Sequence, residues 1–297
     1  MTLVSPTRPS VRRTVFTRSQ NSIKHLNDRV VLAAVFVALF CLNYAPNFIE
    51  ALANIFAVGH DLSHSRTVSG AEVLGFVAIA VALKDLKADR LLRWWDFIAM
   101  TAIVMASLYP SHVIRAIAMT CVGLLFIAQN DKRIASLGQL CLGLVWIDFW
   151  GALALEAIKQ WLLPIETAFA FLPLSLFGAF SLDGIIISNG SGHAIEVLEA
   201  CSAFHNTITT AFIWLSLMKI LRLDFHLKHY CLLAIALASV VLLNTARISV
   251  MAVSESQYFF WHEGPGLWIV KVTMLTVVFS VFCFGLYNRS GASKPVL

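Results

Sequence analysis

The sequence predicts an all-α polytopic membrane protein of about eight transmembrane helices, with one short β-hairpin on its outer face. Three observations lead there. Hydrophobic residues fill 59% of the 297 positions and charged residues only 13%, against about 25% charged in a soluble domain. Mean hydropathy is +0.78. The apolar residues gather in runs of about 20, the helix length that crosses a hydrocarbon core about 30 Å thick.

The net charge of +5 would suit nucleic acid only if the basic residues shared one surface. They stand instead in short polar breaks between apolar runs, as membrane topology requires. Residues 1–29 form a polar cytoplasmic tail with Arg8, Arg12, Arg13, Arg18, Lys24 and Arg29. The apolar run from Val30 lacks a small-residue cleavage site and reads as an uncleaved first span. Spans are expected at 30–50, 67–83, 95–110, 112–128, 134–157, 203–221, 230–253 and 267–287. A tight Tyr109-Pro110-Ser111 turn joins the third to the fourth. Residues 30–287 thus form a single transmembrane domain, followed by a cytoplasmic tail over 288–297.

Orientation follows from Lys and Arg. With the N-terminus in the cytoplasm, the inner segments hold the tail cluster and Lys84, Lys87, Arg90, Arg93, Lys132, Arg133, Arg222, Lys228, Arg289 and Lys294. The outer segments hold Arg66 and Lys159, with Arg115 near the turn at 110. The longest break, Ile158 to about Ser202, then lies outside. Its first part, Trp161 to Phe180, is apolar but carries Pro164 and Pro173, and reads as an amphipathic helix on the outer surface. Two β-prone runs, Gly184 to Ser188 and Ser191 to Leu198, flank Asn189-Gly190 and read as a hairpin. It delivers the chain to Glu199-Ala200-Cys201-Ser202 at the mouth of the sixth span.

That topology sorts the polar residues by depth. There are six cysteines, and none has the Cys-x-x-Cys spacing of a zinc or thioredoxin-like site. Five lie inside apolar runs, where a thiol serves as a small hydrophobe. Cys201 does not. Arg247 lies about two turns inside the outer end of the seventh span, where an intramembrane arginine costs at least about 2.5–3.5 kcal/mol and is functional by default. Asn244 precedes it by one turn on the same face. His262 stands in the outer loop before the last span. Cys201, Arg247 and His262 therefore meet on one membrane face, although none of them was used to orient the chain. A thiolate is a nucleophile, a nearby cation favours it over the thiol, and an imidazole suits proton transfer. His205 follows Cys201 by four residues and is a rival base. Glu199 and Glu263 flank the candidates, and either is able to orient His262. Asp148, between Trp146 and Trp150, reads as a hydrogen-bonded structural acid.

The run Glu199-Ala-Cys-Ser202, then Asn244-Thr-Ala-Arg247-Ile248, then His262 before the last span, resembles the exosortase/archaeosortase family of membrane cysteine transpeptidases. The resemblance covers about residues 134–287. It implies catalysis by Cys201, Arg247 and His262, with Asn244, Ser202, Glu199 and His205 as supporting candidates. It implies substrates that are exported single-span proteins with a C-terminal sorting tail, cleaved at the outer side of the plasma (inner) membrane. The family pattern is Cys-Ser-Gly; this chain has Ala203 at the third position. No metal or organic cofactor is implied, since neither His-Glu-x-x-His nor a glycine-rich phosphate loop occurs. Apart from its substrates the expected partner is the lipid bilayer, and not nucleic acid. Two other classes remain open on the residues alone: a multi-span transporter, which calls for paired midplane charges, and a non-catalytic membrane scaffold for polysaccharide export.

Overall fold

The computed structural model describes residues 70–84, 111–128 and 132–290, with scattered positions between 101 and 109. The spans expected at 30–50 and over most of 95–110 lie outside the described residues. The chain separates into two compact units, Met1–Val68 with Ala80–Gln139, and Ser69–Ile79 with Leu140–Leu297.

Helix α1 spans Gly70–Lys84 and α2 spans His112–Ile127. Helix α3, Lys132–Val145, passes through a π turn at Trp146–Trp150 into α4, Gly151–Ser175. In the first unit, a Cβ on Gly138 would strike the Gly123 carbonyl oxygen, so two glycines let α2 and α3 close on each other. Asp148 sits inside the π turn.

Lys132–Ser175 forms one 44-residue helix. At 1.5 Å per residue it is about 66 Å long, twice the hydrocarbon thickness. Residues 161–175 are therefore the continuation of a spanning helix and not a separate surface helix. The two prolines were expected to break it, since an interior proline costs about 3 kcal/mol. The helix survives because Leu163, Thr167, Ala170 and Leu174 are all buried. Their spacing of four, three and four makes one packed stripe that runs past both prolines.

Helix α5 is Phe204–Ile220, α6 Leu227–Met251, α7 Glu255–His262 and α8 Pro265–Ser290. Among the described residues, Lys132–Ser175, Leu227–Met251 and Pro265–Gly285 are long and apolar enough to cross a membrane. At most 28% of their most apolar stretches is buried inside the protein, so those side chains point outward. In water such faces would be untenable; in lipid they are solvated. The protein is a multi-pass membrane protein. The 17-residue α5 stands at the lower length limit for a span.

Helix α6 is the hub and packs on α4, α5, α7 and α8. The Ser249 hydroxyl donates to the Ala170 carbonyl at 2.7 Å, tying α6 to α4. Ser254 caps α7 by accepting from the Gln257 N–H at 3.3 Å.

Between α4 and α5 lies a three-stranded antiparallel sheet of β1 (Phe180–Asp183), β2 (Ile186–Asn189) and β3 (Ala194–Glu196), in that order. It has one strand more than the hairpin read from the sequence. The tight two-residue turn is at Gly184-Ile185, where Gly184 has φ +59°, a value that suits glycine. The Asn189-Gly190 region is instead a longer loop. There Asn189 Oδ1 accepts from the backbone N–H groups of Ser191 and His193, each at 3.0 Å, and Gly192 takes the positive φ of 88°. Asn189 Nδ2 donates to the Val253 carbonyl at 2.8 Å, and His193 Nε2 to the Met251 carbonyl at 3.1 Å. The sheet thus satisfies carbonyls at the C-terminal end of α6, which the helix itself leaves open.

Candidate active site

The strand pair runs through Val197 and Leu198 into a 3-10 turn at Glu199–Cys201. The Cys201 N–H donates to the Leu198 carbonyl at 2.9 Å, and the Ser202 N–H to the Glu199 carbonyl at 3.1 Å. Ser202 then turns extended, with ψ 143°, and α5 begins only at Phe204. Cys201 is therefore not on α5, and the spacing that put His205 on its face does not apply. The extended residue breaks the helical phase, and His205 is exposed.

Cys201 is only 5% exposed, among Ile187, Ile195, Val197, Ile248 and Met251, with Tyr258 and Trp261 packed against the cluster. Asn244 Nδ2 donates to the Cys201 carbonyl at 2.7 Å. This buried bond ties α6 to the turn. Asn244 Oδ1 is buried without a hydrogen-bond partner, so one acceptor beside the cysteine backbone is unused.

Arg247 lies one turn further along α6, half-buried. Its Nε donates to the Trp261 carbonyl at 3.1 Å, which anchors the end of α7 to α6. Its charge interacts with Cys201 and with Tyr258. Among the described residues, no hydrogen bond occupies the four N–H groups on its terminal nitrogens. His262 ends α7 and stacks on Tyr258 with ring centroids 4.8 Å apart and planes 12° from parallel. Its Nδ1 is buried without a hydrogen bond; the nearest acid oxygen, on Glu263, is 3.8 Å away, too far for one.

The supporting candidates divide. Glu199 pairs with Lys159 at 2.6 Å, and Lys159 also holds Glu156 at 2.7 Å. The acid beside His262 is Glu263. The Ser202 hydroxyl accepts from the Phe204 N–H at 3.1 Å, as a capping group. Ala203 is buried with φ −69°, a backbone that needs no glycine.

Two residues escaped the sequence reading. Tyr258 interacts with Cys201, Glu263 and Arg247. Burial, then the Cys201 and Glu263 charges, push its hydroxyl above the usual range, and Arg247 opposes them. Its spacing of four before His262 was the available signal. Glu166 on α4 accepts from the Ala203 N–H at 3.2 Å and faces the Ser202 side chain. It supplies an acceptor at the start of α5, where Ala203 has no capping side chain. Nothing local in the sequence marks it.

Fold and site together define a class: a multi-pass membrane protein with a thiol, an arginine and a histidine drawn to one sheet-capped end of its helices. A family model described as transmembrane exosortase matches residues 62–280, a stretch that contains every residue of the site, and the chain belongs to that family. No curated protein and no solved structure matches it.

Proposed function

We propose that this protein is a membrane cysteine transpeptidase with Cys201 as nucleophile, and that it cleaves C-terminal sorting tails of exported proteins. The observation that carries the reading is that Arg247 from α6 and Tyr258 from α7 interact with the buried Cys201, and that His262 stacks on that same Tyr258. The Cys201 thiolate forms a C–S bond to the substrate carbonyl carbon, and the C=O electron pair moves onto oxygen. The free N–H groups of Arg247 stabilise that oxyanion. On collapse the C–N bond breaks, and His262 gives its proton to the leaving amine. The resulting thioester is attacked by an acceptor amine, which returns a proton to His262 and displaces the thiolate. With water as acceptor the same steps give hydrolysis.

Asn244 holds the nucleophile's backbone, Ser202 caps α5, and Glu199 anchors the turn through Lys159. In this reading the chain has about eight spans and a cytoplasmic N-terminus, and the site opens on the outer side of the plasma membrane. A tailed single-span substrate then reaches Cys201 by lateral diffusion. The test is to co-express a tailed reporter with wild type and with Cys201→Ser. Processing should fall by about three orders of magnitude in the variant. Equal processing by both would sink the reading.

A further inference from the structure

An open groove of about 630 Å³ lies between α4 and the turn that bears Cys201. We propose that it is the specificity subsite of this site and takes an aliphatic side chain of the substrate, close to the peptide bond that Cys201 attacks. The inference rests on the transpeptidase reading above.

Position is the first argument. Leu198, Glu199 and Ala200 line the groove and lead directly into Cys201. Successive Cα atoms are 3.8 Å apart, and an extended chain advances about 3.3 Å per residue. The groove therefore reaches to within one Cα step of Cys201, close enough for a substrate residue beside the attacked carbonyl. The volume is also apt, since ligand pockets run from about 300 to 1,000 Å³.

Chemistry is the second. Leu163 and Pro164 of α4 and Ile185 of the β1–β2 turn form the walls, and Leu198 is 53% exposed. Lys159 also lines the groove, but its ammonium is already held by Glu156 and Glu199. Two carboxylates on one cation leave no charge to receive an acidic side chain, so the groove favours aliphatic groups and rejects acids. Pro164 adds a backbone feature. It has no N–H to give the Gln160 carbonyl four residues earlier, and Gln160 lines the same groove. That carbonyl therefore has no intrahelical donor.

The experiment maps the cut in a tailed reporter by mass spectrometry. Each flanking residue is then changed to Leu, Ala or Asp, and the series is given to wild type and to Leu163→Trp, which fills the groove. Wild type should prefer Leu over Asp by at least about tenfold at one position within about two residues of the cut. Leu163→Trp should lower the Leu-over-Ala ratio there by about tenfold. An unchanged ratio overturns the proposal, and is the outcome expected if a lipid acyl chain fills the groove instead. If Leu163→Trp does not accumulate in the membrane, Leu198→Trp closes the groove from its other wall and is read the same way. A wild-type protein that processes no reporter, or a Cys201→Ser variant that processes them equally, removes the transpeptidase reading and this one with it. A flat ratio in an active enzyme removes only this one.

Discussion

Helix α6 carries histidine, aromatic rings and charge around both of its ends, yet the two ends behave differently. At the Leu227 end, Trp214, Phe225 and Tyr230 pack ring against ring at 5.6–6.0 Å, and Lys219 lies over Phe225 at 4.5 Å. His229 is 2% exposed there, and its Nδ1 donates to the Asp224 carbonyl at 2.9 Å. At the Met251 end, Asn244 Oδ1, His262 Nδ1 and Glu166 Oε2 are buried with no hydrogen bond. Leaving such atoms unpaired costs about 1–3 kcal/mol each. At the first end the hydrogen bond and the ring contacts tie neighbouring segments together. At the second, in the proposed reading, the open atoms are ones that a substrate's own donors and acceptors complete.

The two histidines give the sharpest way to break that comparison. His262→Ala should lower reporter processing per folded molecule by about 10²–10⁴-fold, the usual weight of a general acid. His229→Ala should instead lower the thermal midpoint, since it leaves the Asp224 carbonyl without its donor at a cost of about 1–3 kcal/mol, with processing per folded molecule unchanged. Full activity in His262→Ala would remove the difference between the ends.

Asn244 belongs to both categories, and so sharpens the comparison. Its Nδ2 is structural, since it holds the Cys201 carbonyl. Asn244→Ala leaves that carbonyl without its donor and should destabilise the protein by about 1–3 kcal/mol. If Oδ1 also serves the substrate, processing per folded molecule should fall as well. A midpoint shift with no loss of processing would assign Asn244 to the fold alone.

The legible part of the molecule was what lipid and short-range chemistry impose. Apolar runs announced α6 and α8, and depth sorting picked out Cys201, Arg247 and His262 as candidates. What stayed hidden depends on contacts between distant segments. The prolines at 164 and 173 argue locally for a break, and only the buried stripe from Leu163 to Leu174 overrides them. His205 looked helical with Cys201 because nothing local announces that Ser202 is extended. Glu199 looked like a partner for His262, but Lys159, forty residues earlier, holds it. Asn189-Gly190 is a strong turn signal, yet Asn189 is occupied with Val253 across the fold and the tight turn forms at Gly184.

The smallest effect concerns Tyr258, which separates ring from hydroxyl. An aromatic stack is worth about 0.5–1.5 kcal/mol, so Tyr258→Leu should slow processing about two- to twelve-fold by loosening His262. Tyr258→Phe keeps the ring and should stay near wild type. The hydroxyl remains protonated, because burial and the neighbouring Cys201 and Glu263 charges raise it. It is therefore a standing donor beside the thiol. A Phe variant as slow as the Leu variant would move the effect from the stack to that O–H, and would place one more polar group of the Met251 end in the chemistry rather than in the fold.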